Sequence, residues 1–420
     1  MQPHPRWPDL DLDFRPPTFQ AALAGLPLRP TPPATDEPFW ATVAQAYDTE
    51  PAVVNLENGY WGVMAEPVHA IYRHWTARVN HGNTLLIRRH WPAAQEILRD
   101  TVARALGCER DEIVLARGAT EAMQALISGY NRLQFGDTVL YSDLDYPAMQ
   151  HAMAWLRERR GVTPVRLQMP RPASREAVLA TYAQALRQHP RVRLVLLTHL
   201  SHITGLVLPV RELAQQAREA GAEVMVDAAH SWGQLDFRVG DLDTPFAAFN
   251  LHKWVGAPLG CACLYIRRGS VAAIDPHYGD ADYPADDIRA RLRTGSPNFA
   301  AWLSIPAALQ WHQRIGAAAK EARLRHLRSL WVGPARALPG VEILTPDDPA
   351  LVGGITAFRI QGQAAADVVA ALADRHGIHA VVPTGQRGGD LVRITPAITT
   401  LPADMERLVT ALQDIAGRTA

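Results

Sequence analysis

Cysteine is scarce in this 420-residue chain, which has only Cys108, Cys261 and Cys263. So sparse and odd a set does not read as a disulfide framework, and a reducing cytoplasm is the expected location. Cys261 and Cys263 are separated by one residue on an apolar run. That spacing puts both on one face of a strand and favours core packing over a metal or redox role. A surplus of either charge is also missing, since Lys+Arg and Asp+Glu both total 42. Without a basic excess, neither a dedicated nucleic-acid binder nor an anionic-membrane binder is expected. No apolar run approaches the roughly 20 residues that span a bilayer. The N-terminus, Met1-Gln2-Pro3-His4-Pro5, lacks the basic-then-apolar order of a secretory signal. Internal repeats and low-complexity tracts are absent as well.

What is present is an ordinary globular composition, 48% hydrophobic and 20% charged, in a length that suits two or three domains. Residues 1–50 are proline-rich and weakly periodic. They are expected to form an N-terminal extension that wraps a neighbouring surface or stays partly disordered. Residues 51–300 are expected to form a large domain. Within it, strand-like runs at 112–115, 138–141, 164–167, 194–198, 223–226, 247–249 and 261–266 alternate with amphipathic stretches at 120–130, 147–160, 173–188 and 210–220. This alternation predicts an α/β fold with a mostly parallel, seven-stranded sheet covered on both faces. Ligands in such sheets bind beyond the carboxyl ends of the strands. Residues 301–338 read as a connecting helical segment. Residues 339–420 read as a smaller C-terminal α+β domain, with strands near 355–360, 380–382 and 391–394 and helices near 364–375 and 402–416. A cleft between the two domains is the expected substrate site.

Three predicted strand ends carry chemistry. Glu223-Val-Met-Val-Asp227-Ala-Ala-His230 delivers an aspartate and then a histidine, and Asn250-Leu-His252-Lys253-Trp254 delivers a His-Lys pair. Asp227 and Lys253 are 26 positions apart and fit nearby strands of one sheet. A lysine that forms an imine with an aldehyde, beside a carboxylate that keeps a pyridine nitrogen protonated, is what pyridoxal 5′-phosphate chemistry requires. Taken alone, each residue also reads as a cap or a solvated charge. The third strand end is Leu115-Ala-Arg117-Gly118-Ala119-Thr120-Glu121, a small-residue turn into a helix. There, backbone N–H groups and the Thr120 hydroxyl can hold a phosphate, or Thr120 can simply cap its helix. No dinucleotide or P-loop fingerprint occurs.

As an ordered set, these segments resemble the class V aminotransferase family of fold-type-I pyridoxal-phosphate enzymes, which includes cysteine desulfurases, kynureninase and isopenicillin N epimerase. The likeness runs from about residue 54 to 415. It is nearest to the isopenicillin-N-epimerase-like branch through Leu56-Glu-Asn58-Gly59-Tyr-Trp-Gly62, Thr198-His-Leu-Ser-His202-Ile-Thr-Gly and Asn250-Leu-His-Lys-Trp254. The resemblance implies that Lys253 attaches the cofactor and Asp227 meets its ring nitrogen. His230 would lie near its phenolic oxygen, Tyr146 would stack on the ring, and Ala119, Thr120 and His252 would meet the phosphate. Ser296, in Thr294-Gly-Ser296-Pro, would reach the phosphate of a neighbouring subunit, which implies a homodimer with shared active sites. Arg393 would clamp the substrate α-carboxylate with its guanidinium fork, with Asn58 nearby.

Two departures from the family pattern stand out. His202 occupies a position where most relatives have asparagine, a cofactor- or substrate-contacting residue; histidine can donate similarly but also titrates near neutral pH. The stretch Pro383-Thr-Gly385-Gln-Arg387-Gly-Gly-Asp390 has no cysteine where desulfurases keep their nucleophile. Persulfide-forming desulfuration is therefore not expected. Arg387, in this glycine-rich loop, reads equally as a solvated charge or as a contact to an anionic substrate group. The expected function is that of a pyridoxal-phosphate enzyme acting at the α-carbon of an amino acid or small amino-acid-derived metabolite, as an epimerase or a C–S/C–C lyase. The alternatives are an aminotransferase or a non-catalytic, cofactor-binding regulatory protein. No metal, nucleic-acid or membrane partner is expected.

Overall fold

A computed structural model of the chain describes residues 16–26, 33–171, 173–279, 281–385 and 391–417. Among these residues the strands are β1 (Val54–Asn55), β2 (Ile113–Ala116), β3 (Thr138–Ser142), β4 (Thr163–Leu167), β5 (Val192–Thr198), β6 (Glu223–Asp227), β7 (Phe246–Asn250), β8 (Ala262–Ile266), β9 (Val341–Ile343), β10 (Thr356–Ile360), β11 (Ile378–His379) and β12 (Val392–Ile394). Seven of them form one sheet in the order β2-β8-β7-β6-β5-β3-β4. Only β8 runs antiparallel to its neighbours, and every other pair is parallel. The central strands β3, β7 and β8 are buried along their whole length, which explains why they read as unbroken apolar runs rather than alternating ones. β4 forms an edge and is half exposed, so its Pro164 does not interrupt a central ladder.

Helices cover both faces. On one, Met123, Leu126, Met149 and Met153 from helices Ala119–Gly129 and Pro147–Arg160 pack over Leu196, Met225 and Phe246. The other face packs under helices Arg175–Gln188, Val210–Glu219 and the helical residues Glu66–Leu106. That last element was not foreseen from sequence. Its buried stripe (Ile71, Trp75, Leu98, Val102, Leu106) is interleaved with arginine and histidine, contains Pro92, and breaks at Asn83, where φ is 47°. Each of these features blurs a helical period.

The described part of the N-terminal extension covers this chain's own surface. Helices Pro17–Gly25 and Glu37–Ala44 bury Phe19, Phe39, Trp40 and Val43, each worth about 1.5–3 kcal/mol as an upper estimate. Fully buried Arg323 pairs with Glu37 and donates to the Ala34 carbonyl, fastening the second helix down.

In the C-terminal region β10 lies between β9 and β12, antiparallel to both, and helices Ala365–His376 and Pro402–Gly417 pack nearby around Trp331, Phe358, Leu372 and Leu412. β1 joins this region by pairing in parallel with β11. The strand expected at 380–382 is displaced. Pairing occurs at Ile378–His379, directly after the left-handed Gly377 cap, while Val381 makes only a single bridge to Arg393 before Pro383. No helix among the described residues is long and apolar enough to cross a membrane.

Candidate active site

Parallel pairing aligns the carboxyl ends of neighbouring strands. Thr198 at the end of β5 sits opposite Asp227 at the end of β6, and Asp227 sits opposite Ala248 of β7. Two residues further on, β7 ends at Asn250. These ends open into a cavity of about 830 Å³, lined on one side by the large sheet and on the other by residues of the C-terminal region and of the segment after β1. Lys253, Asp227, His230, Ala119, Thr120, Tyr146, His202, His252, Arg393 and Asn58 all line it. Ser296 does not; it lies exposed in a turn of this single chain. Arg387 and the glycines beside it lie outside the described residues.

Lys253 is held by its neighbours. Gly62 donates its N–H to the His252 carbonyl at 2.9 Å. A Cβ on Gly62 would lie 2.0 Å from the Lys253 carbonyl oxygen, so only glycine allows this approach. The Lys253 amine is 2.8 Å from His230 Nε2, while the Trp254 indole N–H donates to His230 Nδ1 at 3.4 Å. An indole can only donate, so Nδ1 accepts; Nε2 then carries the ring hydrogen and donates to the Lys253 amine in its uncharged form. Burial lowers the Lys253 pKa to about 8, with Asp227 opposing the shift and Arg393 adding to it. Burial raises the Asp227 carboxyl above its usual range, against the N–H of Ala229 and the charge of Lys253. His230 is pushed well below its usual value by burial and then by Lys253, so it stays a neutral donor.

Helix Ala119–Gly129 begins at the cavity, with its N-terminal N–H groups facing the end of β7. The Ala119 N–H is already committed to Asn250 Oδ1 at 2.8 Å. A phosphate there would draw on Thr120 and the helix dipole rather than on the Ala119 donor. His252 Nδ1 lies 3.0 Å from the Cys261 carbonyl and donates to it. Burial holds His252 at about 4, so its other nitrogen is a lone pair unless a neighbouring anion favours protonation of the ring.

Arg393, on β12, donates through Nη2 to both oxygens of Glu57 at 2.6 Å and through Nη1 to the His202 carbonyl at 2.7 Å. Both Asn58 amide hydrogens are used on the Asn55 and Thr395 carbonyls, leaving only its oxygen to face a ligand. His202, held near a pKa of about 3 by burial and then by Arg393, is neutral. It donates Nε2–H to the Thr384 carbonyl at 3.1 Å. It therefore ties the large sheet to the 381–385 segment through Nε2. Tyr146 stands edge-on to His202 with ring centroids 5.3 Å apart.

Sequence reasoning missed Glu57 and Asn250. Asn250 was legible as the last residue of a strand three positions before Lys253. Glu57 carries no local signal, because its partner is 336 residues away.

The residue set suits pyridoxal 5′-phosphate. It supplies a buried amine of lowered pKa, a buried carboxylate for a ring nitrogen, an N–H donor beside the amine, and a helix N-terminus for a phosphate.

The Aminotransferase class-V family profile matches residues 63–400. An isopenicillin N epimerase from Streptomyces clavuligerus is 30% identical over 389 residues, covering 88% of this chain and 96% of that protein. A cysteine desulfurase from Pectobacterium atrosepticum is 31% identical over 365 residues, covering 82% of this chain and 87% of its own. The structure of the cysteine desulfurase CsdA from Escherichia coli superposes with a TM-score of 0.77 at 24% identity, over 90% of this chain and 98% of that one. Similar relatives thus fall on both sides of the epimerase–desulfurase division, which gives no support to setting desulfuration aside. On the profile match and these identities, the chain belongs to the class-V aminotransferase family, whose cofactor is pyridoxal 5′-phosphate.

Proposed function

We propose that the chain abstracts the α-proton of an amino acid or a small amino-acid-derived metabolite, in the manner of the isopenicillin-N-epimerase-like branch. The carrying observation is one cavity holding Lys253, with its lowered pKa, between the buried carboxylate of Asp227 and the guanidinium of Arg393. When bound, pyridoxal phosphate supplies an electron-accepting ring. Lys253 attaches the cofactor and then moves the α-proton as general base and acid. Asp227 would meet the ring nitrogen, and the His230 Nε2–H would meet the phenolic oxygen. Thr120 and a protonated His252 would hold the phosphate, and Tyr146 would lie against the ring. Arg393 takes the substrate carboxylate, and the Asn58 oxygen accepts from its amine. Ser296 would serve the site of a second copy, making the working unit a homodimer, and the scarcity of cysteine suits a reducing cytoplasm.

An epimerase or a C–S/C–C lyase fits better than a persulfide-forming desulfurase, because none of the three cysteines lines the cavity. Cys261 and Cys263 are fully buried, and burial keeps both thiols protonated. The test is incubation of the cofactor-loaded protein with amino acids in D₂O, following α-deuteration together with pyruvate, sulfide and keto-acid release. Exchange with inversion and no net product is the expected result. Keto-acid formation would move the chain to the aminotransferases. Absence of any exchange or spectral response would leave a non-catalytic binding protein.

A further inference from the structure

The fork assigned above to a substrate carboxylate already holds one. Both Glu57 oxygens lie 2.6 Å from Arg393 Nη2. The two side chains are only 9% and 8% exposed, so little water screens the pair. Arg393 is oriented without Glu57 as well: Nη1 donates to the His202 carbonyl, and Gly59 is packed so closely that a Cβ there would lie 3.3 Å from Nη2. Glu57 is itself carried on the segment between β1 and the single bridge it makes to Thr395, and both residues of the pair line the cavity. An incoming carboxylate therefore meets a guanidinium with its Nη2 engaged and a second negative charge beside it.

We propose that Glu57 is a specificity-determining residue, an internal carboxylate that competes with the substrate's own for Arg393. This rests on Arg393 being the carboxylate clamp. Binding then exchanges one ion pair for another, and the displaced Glu57 must find a new partner or a proton. A small monocarboxylate gains little from that exchange. An amino acid whose remaining part fills the rest of the cavity gains from its other contacts, so the pair selects against small free amino acids.

The experiment measures dissociation constants of glycine and of methylamine, which lacks the carboxylate, from the visible spectrum of the cofactor-loaded protein. Glu57→Gln is expected to tighten glycine by roughly tenfold while leaving methylamine unchanged, since removing an internal competitor raises the fraction of competent sites. Glu57→Asp, whose carboxylate sits one methylene further back, should shift glycine in the same direction and serves if the glutamine variant does not fold. Unchanged or weaker glycine binding in both variants overturns the inference and makes Glu57 a support for the arginine. Arg393→Ala separates the two levels. If it weakens glycine and methylamine equally, the clamp reading itself fails; if it weakens glycine alone, the clamp stands and the Glu57 result decides.

Discussion

The chain contains only two lysines, and both are buried, so they form a natural comparison. Burial lowers Lys253 to about 8 and Lys320 to about 7. Ranked by pKa, Lys320 is the better nucleophile at neutral pH. Its surroundings say otherwise. Lys320 donates to the Trp254 carbonyl at 2.5 Å, lies 3.2 Å from His312 Nδ1, and is 4% exposed, away from the residues that line the candidate site. Lys253 has Asp227 among its electrostatic partners, His230 at 2.8 Å, and an open cavity in front. A lowered pKa is produced by burial alone; a reactive amine also needs space and a counter-charge. Lys320 instead supports the turn that carries Lys253, by holding the carbonyl of the next residue.

The strongest way to break this comparison is chemical. Borohydride reduction of the cofactor-loaded protein, followed by peptide mass analysis, should label Lys253 and leave Lys320 untouched. Lys253→Ala should lose the visible band and lower α-proton exchange by roughly 10³-fold or more, with unchanged circular dichroism. Label on Lys320 would reverse the two assignments. Next, Asp227→Asn should keep attachment at Lys253 but slow exchange by about 10²-fold, measured by deuterium incorporation.

Lys320 should declare itself in stability rather than chemistry. Its folded pKa, about 7, lies below the unfolded value of 10.5. Between those values the unfolded state binds the extra proton, so this residue makes stability rise with pH across that window, by up to about 1.4 kcal/mol per pH unit. Urea unfolding at several pH values should show the difference between wild type and Lys320→Met growing in favour of wild type as pH rises. A parallel pair of profiles would refute the buried-charge account. The smallest effect is expected of Trp254→Phe. Losing the indole donor frees the His230 tautomer, so the pH midpoint of the cofactor's visible band should move while its attachment persists.

Most of the large domain was legible in sequence because parallel, fully buried strands spell themselves out as apolar runs that end in polar residues. Asp227, His230 and Lys253 stand out in the sequence for that reason, and all three line one cavity. What was hard to read depends on distance. Helical residues 66–106 hide their stripe among arginine and histidine, and Glu57 and Asn250 acquire meaning only from partners at Arg393 and Ala119. The scarcity of lysine was an available signal that local motif reading passes over. Arg393 and Asn58, singled out through the family resemblance, line the same cavity. Their hydrogen bonds could not be foreseen from it, since backbone carbonyls leave no trace in a motif.

The pairing of β1 with β11, and of Glu57 with Arg393, has a consequence for how the molecule is made. The segment that walls the cavity is made early, and the partner of Glu57 follows 336 residues later. During synthesis the lysine turn can form while the Glu57–Arg393 pair cannot. Long-range closures of this kind come late in folding, because loop entropy must be overcome before the contact repays it. If Lys253 and the Glu57–Arg393 pair act as proposed, the nascent chain acquires its reactive amine before its means of selecting what reaches it, and maturation ends with selectivity, not with reactivity.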